Sequence, residues 1–334
     1  MELINSTGFP ADFLSGSMGD SEMLGIVACK ITYSLDREIL IPVDPEQSWP
    51  IFDKPFVFKE ISLAPELDYR KKGIDIIVFG KAVALNCEPV KRMRVAVECG
   101  NVSYKIEVFG DRIWRMSNGE LVASEPIPFL EMDLSNNRVY GGTAMWEDSE
   151  LTHSVNPDGR GFYMSKTQAE GQPLPNLERP DSLILKLGDQ PRPACMFKPK
   201  GMYFNEEKIS EDPQELMVPL IETVFNQTVP ELVVNSEDIG PDVRLSGFCA
   251  TGDIIFPTPP STGPKAIVTV GSLHSRFPST LSSLIILADE QVLIAGYLCL
   301  FRYLFRARET RRVKLEWLDD PIVRPLTGPG DRHG

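Results

Sequence analysis

The sequence predicts a mainly β protein, with antiparallel sandwich-like lobes, long ordered loops and little helix. Three observations predict it. Runs such as Tyr104-Lys105-Ile106-Glu107-Val108 alternate apolar and charged side chains with period two, which turns one strand face to a core and the other to water. Turn formers separate such runs, most clearly Gly100-Asn101 between 92–99 and 102–109, a hairpin pattern. The 28 prolines and 25 glycines among 334 residues suit turns and loops, since both residues disfavour helix interiors.

Taken in order, "LGIVACKITYSL" over 24–35 reads as a strand, followed by the Pro-rich connection "LIPVDPEQSWPIFDKP". "GIDIIVFGKAVAL" over 73–85 is the second strand, and the hairpin 92–109 completes an antiparallel meander. From 116 to 200 regular pattern fades. "SEPIPFLEMDL" is extended, and the Gly-, Pro- and Asn-rich stretch after it reads as one long loop packed by its own apolar side chains, among them Trp146, Phe162 and Tyr163. The best helix candidate is 212–227, with Asp212 as N-cap before Pro213, although Pro219 lies inside it. The last third returns to β: "VRLSGFCATGDIIFPTP", "KAIVTVGSL", a buried hairpin over 284–304 and "RRVKLEWL". The expected organisation is a single unit over 1–320. Within it lie an N-terminal β lobe over about 20–136, a loop-rich region over about 137–200 and a C-terminal β lobe over about 240–318, with a flexible tail at 321–334.

Charge narrows the function. A net charge of −13 has the wrong sign for displacing counterions from phosphate, so no nucleic-acid partner is expected, and an anionic membrane surface is disfavoured alike. The local exception is "FRYLFRARETRRVK" over 301–314, with six cations against Glu309. Such a run reads first as a solvated face and second as a contact for an acidic protein, through Arg306, Arg308 and Arg311. The apolar run near 281–305 is interrupted by Asp289, Glu290 and Gln291, which fits a hairpin and no membrane insertion. The N-terminus shows no signal-like pattern, and the six cysteines are scattered without a C-x-x-C pair. A reducing cytoplasm is the expected setting.

No catalytic, metal or cofactor constellation stands out. His153, His274 and His333 have no partner at metal-ligand spacing, and no nucleophile elbow, phosphate loop or dinucleotide fingerprint occurs. Asp111 and Glu178 are the carboxylates to examine first, because each sits in a tight Gly/Pro-rich setting. Asp111 after Gly110 reads as a side chain capping backbone N–H groups at a corner, and Trp114 as a plug for the end of a sheet. No catalytic residue and no cofactor are expected.

The ordered set "VFGDRIW", "PIPFLEMDL", "NRVYGGT", "NPDGRGF" and "PLPNLERP" resembles a bacterial family first catalogued as a domain of unknown function, and the similarity runs over nearly the whole chain. Its motif residues here are Gly110, Asp111, Arg112 and Trp114, then Arg138, Tyr140, Gly141 and Gly142, then Asn156, Pro157, Gly159, Gly161 and Phe162. The chain departs from the family at Asn137, where an acid is usual, and at Leu300-Phe301-Arg302, where Trp-Arg is usual. The resemblance implies a non-enzymatic adaptor or chaperone of a type VI secretion system, whose partners are a secreted effector and the spike protein. An adaptor needs rigid shape and contact surface. The run Pro173, Leu174, Pro175, Asn176 and Leu177 is a pre-extended candidate for partner binding, or else it pins the loop to the protein's own sheet. Two other readings stay open on the residues alone. One is a carbohydrate-active or lectin-like protein with Asp111, Glu178 and Trp114 or Trp146 at a sugar site. The other is a structural component of a phage-tail-like assembly.

Overall fold

The computed structural model describes residues 1–19, 22–59, 61–67, 71, 73–202, 226–304 and 311–317. The protein is mainly β, as its alternating runs predict, and nearly every strand pair is antiparallel. The chain forms two compact units. One comprises Met1–Ile77, Val233–Asp242 and Phe256–Gly334, the other Val78–Leu232 and Val243–Ile255. The expected helix over 212–227 lies outside the described residues but for its last two, and the tail at 321–334 lies outside them entirely.

In the first unit one sheet runs in the order Glu2–Asn5, Arg311–Glu316, Thr262–Val270, Leu273–Leu287, Val292–Leu304, Glu22–Asp36, Ala11–Gly19. The sheet curls into a nearly closed barrel, because its two outermost strands deliver Leu3 and Phe13 to one core. That core contains Val27, Cys29, Val268, Cys299, Phe301 and Val313, and Phe301 stacks on Phe13 at 6.2 Å and on Phe277 at 5.4 Å. The strand over 24–35 appears as Glu22–Asp36 and pairs along its length with Val292–Leu304. The 284–304 hairpin also forms, its second strand being Val292–Leu304 and its first, Leu273–Leu287, starting earlier than expected. The strands Glu2–Asn5 and Ala11–Gly19 were not apparent from periodicity.

The Pro-rich connection is fastened by one buried cation. Lys30, 1% exposed, donates to Pro50 O at 2.8 Å and to the Glu66 carboxylate at 2.7 Å, and lies 3.3 Å from the centre of the Phe52 ring. Phe52 stacks on Phe56 at 4.2 Å, and Trp49 packs edge-on against Phe58 at 4.9 Å. Burial lowers the Lys30 ammonium to about 8, with the Glu66 charge opposing the shift.

In the second unit a five-stranded sheet runs Leu177–Glu178, Val102–Phe109, Arg92–Cys99, Asp242–Ser246, Ile254–Pro257. Its centre is the predicted hairpin, closed by Gly100-Asn101 with Cys99 opposite Val102. Gly100 takes a φ of 57°, a left-handed conformation that lacks a steric cost only for glycine. The loop-rich stretch is ordered as short paired pieces: Trp114–Ser117 with Glu120–Ala123, Tyr140–Gly141 with Arg160–Gly161, and Thr143–Trp146 with Ser149–Thr152. A single α-helical turn, Lys166–Ala169, is capped by Ser165, whose hydroxyl accepts from the Gln168 N–H at 3.3 Å. Among the described residues no helix is long and apolar enough to cross a membrane.

Candidate functional site

The motif residues gather in the second unit, because the extended run Pro173–Leu177 threads between the segments that carry them. Leu177–Glu178 pairs with the strand Val102–Phe109, bringing Leu177 opposite Val108 and Glu178 opposite Glu107. On this run Leu174, Pro175, Asn176 and Leu177 are buried and Pro173 is half-buried. Burial of four of its five residues favours the role of pinning the loop to the protein's own sheet, with Pro173 left partly exposed. Arg311 lies half-buried in the strand Arg311–Glu316 of the first unit, while Arg306 and Arg308 lie outside the described residues.

Asn176 is the hub. Its Nδ2 donates to Phe109 O at 3.1 Å and to Asp111 Oδ1 at 2.9 Å, while its Oδ1 accepts from Arg138 Nη1 at 3.1 Å. The Asp111 side chain thus bonds an amide from 65 residues downstream, where the sequence suggested a cap for its own turn. The corner at Gly110 has a steric cause: a Cβ there would lie 1.8 Å from Ile127 O, so only glycine lets the two backbones approach.

Arg112 sits behind that corner with 7% of its side chain exposed. It donates to Pro175 O at 2.7 Å and to Glu178 Oε1 at 2.5 Å, and its guanidinium stacks 3.9 Å from the centre of the Phe109 ring. The other Glu178 oxygen accepts from the Ile184 N–H at 2.8 Å. Burial pushes the Glu178 carboxyl above its ordinary value, against the pull of the Arg112 charge. Across the strand pair, burial also raises Glu107, but hydrogen bonds from Arg92 and Arg94 outweigh it and hold that carboxyl below its usual range. Two carboxylates stand opposite each other here, Glu178 bonded to Arg112 and Glu107 to both Arg92 and Arg94. Trp114 is buried with Leu121, Tyr140, Ala169, Leu174 and Ile184.

The third knot is built around Asn156, which is 1% exposed. Its Nδ2 donates to Asn136 O at 2.9 Å and to Tyr140 O at 3.2 Å, and its backbone N–H donates to His153 Nδ1 at 3.1 Å. Gly141, with φ at 149°, passes so close that a Cβ would lie 2.1 Å from Asn156 O. Gly142 and Gly161 also have left-handed φ values, and Gly159 N donates to Asn156 O at 3.4 Å. Gly141→Ala is expected to cost about 3 kcal/mol through backbone displacement; urea denaturation measures it. Phe162 and Tyr140 pack edge-on to the His153 ring at 5.6 and 5.3 Å, and Pro157 is half-buried in the same turn.

His153 makes this knot sensitive to acid. Burial lowers its imidazole, so the folded state favours the neutral ring that can accept from Asn156. A group with a depressed folded pKa contributes stability that is full above its unfolded value, near 6.5, and is lost as pH falls through the folded value. His153→Asn, which keeps an acceptor at the Nδ1 position without a titration, is expected to narrow the fall in Tm between neutral and mildly acid pH. An unchanged fall would remove His153 from the acid response.

The first unit holds a separate concavity of about 440 Å³, lined by Ile74, Leu281, Leu298 and Leu300 and rimmed by hydroxyls including Ser261 and Thr280. Lys71 at its edge is paired with Asp75 at 2.8 Å. Sequence gave no notice of it. Among the described residues no group of three His, Cys, Asp or Glu side chains is arranged to hold a metal ion.

The comparisons agree with where the motifs lie. No curated protein and no solved structure matches the chain. The family described as "Uncharacterized protein conserved in bacteria (DUF2169)" matches residues 20–202, the segment that contains every motif of the knots above. That match spans more than half of the sequence, and the chain belongs to this bacterial family.

Proposed function

We propose that the protein is a non-enzymatic adaptor or chaperone of a type VI secretion system. In this reading it binds a secreted effector in the cytoplasm and helps load it onto the spike protein. The observation that carries it is how the resemblance motifs use their polar groups. Arg112, Glu178, Asn176 and Asn156 bind one another's segments and backbone carbonyls inside the second unit. Residues so engaged hold a surface rigid, which is what gripping another polypeptide demands. The sugar-site reading draws on Asp111, Glu178 and either Trp114 or Trp146, of which Trp146 is half exposed on a separate hairpin. Trp114 and Glu178 are buried, and Asp111 is bonded to Asn176, so those three do not form an open cleft.

The test is deletion of the gene in its native bacterium, followed by measurement of effector abundance and secretion, alongside affinity capture of the tagged protein. The expected result is a lower effector level in the deletion strain and co-capture of an effector with the spike protein. Unchanged effector level and secretion would overturn the proposal.

A further inference from the structure

The hairpin of Thr143–Trp146 and Ser149–Thr152 is built differently from the rest of the second unit. Its residues are exposed except Ala144. A two-stranded ribbon is marginal by itself in water. This one is held at its base by the buried Ala144 and along one edge by Gln168 Nε2, which donates to Met145 O at 2.6 Å. The tip carries bulky apolar side chains instead of the polar ones that a solvated ribbon would have. Trp146 is 49% exposed and Met145 50%. Leu151, 40% exposed, lies diagonally from Trp146 on the same face, within reach of its ring. Scattered single exposures need no explanation, but Trp146 and Leu151 adjoin on one face of the ribbon, while Met145 is exposed on the other beside Glu150.

The charges on the ribbon itself have one sign, although Lys166 lies on the adjoining helical turn. Glu147, Asp148 and Glu150 lie between Trp146 and Leu151, and the ribbon has no cation. Glu147 sits at the turn with a φ of 53°, a conformation that costs a side chain about 1 kcal/mol and that glycine or asparagine would adopt more easily. The chemistry therefore selects the occupant. Phosphate backbones and anionic lipid surfaces would meet like charge, as would most of the surface of a second copy of this chain, whose net charge is −13.

We propose that this hairpin is a docking arm for a cationic amphipathic segment of a partner protein, with apolar side chains seated on Trp146 and Leu151 and Lys or Arg meeting Glu147, Asp148 and Glu150. Its biological role rests on the adaptor reading; its chemistry does not.

The test uses the full-length protein and a designed amphipathic peptide of leucines and lysines, with a leucine–glutamate counterpart. Binding is followed by calorimetry and by tryptophan emission, the share of Trp146 being read as the difference from a Trp146→Ala variant that keeps Trp49, Trp114 and Trp317. The lysine peptide is expected to bind, to shift the emission blue and to weaken with salt, while the glutamate peptide does not bind. Trp146→Ala/Leu151→Ser and Glu147→Lys/Asp148→Lys/Glu150→Lys should each weaken binding about tenfold or more. A control, Asp36→Lys/Glu38→Lys/Glu46→Lys, makes the same charge change at exposed acids of the first unit and should bind as the parent does. All three variants alter exposed positions and should keep the parent's Tm closely. No binding, equal binding to parent and hairpin variants, or equal loss in the control overturns the proposal. The adaptor reading is separable. If deleting the gene leaves the effector unaffected while the peptide still discriminates, that reading fails and the arm stands. If deletion lowers the effector and the hairpin variants restore it fully, the arm fails and the adaptor stands.

Discussion

Arg112→Ala is expected to destabilise the protein by about 3–5 kcal/mol, the usual cost of removing one partner from a buried ion pair. The Arg112 and Glu178 side chains are 7% and 1% exposed, so the remaining carboxylate would lack both water and its paired charge, keeping only the weaker pull of Arg92. It would also stand directly across the strand pair from Glu107, a like-charge arrangement that is unfavourable in sheets. Loss of the guanidinium further frees Pro175 O and removes the nearer of two cations from the Phe109 ring, leaving Arg92 at 4.9 Å. Urea denaturation near neutral pH measures the cost. Arg112→Met/Glu178→Met should lose much less than the two single changes together, because most of each single loss is an orphaned charge. The sign with pH is fixed as well. Removing the opposing arginine raises the Glu178 folded pKa further above its unfolded value. The variant's deficit is therefore largest above the folded value and shrinks as pH falls toward the ordinary carboxyl range. A deficit below about 1 kcal/mol would mean that the pair is open to solvent and carries little of the fold, as surface pairs do.

The pair also shows where a sequence ceases to inform. Strands 92–99 and 102–109 are legible because alternation and a two-residue turn are local, and local pattern fixes their register. The strand Glu22–Asp36 is legible as a strand, yet nothing near it announces that its partner is Val292–Leu304, on the far side of the chain. Pairings at such separation are set by the fit of whole faces in the core, and neither strand carries a mark of the other. The parallel pairing of Glu2–Asn5 with Arg311–Glu316 was hidden for the same reason. Lys30 is a local hint of how the Pro-rich connection is held. A lysine in the apolar run "VACKITYSL" must find a buried acceptor, and Glu66 with Pro50 O supplies it.

At the site, glycines were the most legible residues. Gly110 and Gly141 stand where a second backbone passes, and a Gly-rich motif commonly marks such an approach. The destination of Pro173–Leu177 could not be decided, since a pre-extended run suits an external groove and an internal edge equally. The deciding residue is Asn176, whose amide meets the 109–111 corner, Arg138 and Arg160 only after the chain has folded. Trp114 and Trp146 were likewise indistinguishable by local composition, though one is sealed in a core and the other stands half in water.

That contrast yields the second large effect. Trp114→Ala is expected to cost about 3–5 kcal/mol, the range for deleting a fully buried large aromatic. The side chain is 2% exposed, and its ring fills the space bounded by Leu121, Tyr140, Ala169, Leu174 and Ile184. Its backbone is fixed independently, donating to Gln172 O at 3.0 Å and accepting from Gly171 N at 2.9 Å, so a cavity and not a rearranged chain is the expected outcome. The indole Nε1 has no hydrogen-bond partner, which means that a smaller aromatic gives up volume but no polar contact. Trp114→Phe should therefore cost only about 1–2 kcal/mol. Trp146→Ala, at the exposed tip of the hairpin, should stay within about 0.5 kcal/mol of the parent. Denaturation of the three variants under one condition separates the roles. The order expected is Ala at 114 far below Phe at 114, with Ala at 146 close to the parent. A Trp114→Ala protein as stable as the parent would mean that the ring is not part of the core and would return Trp114 to the list of ligand-stacking candidates.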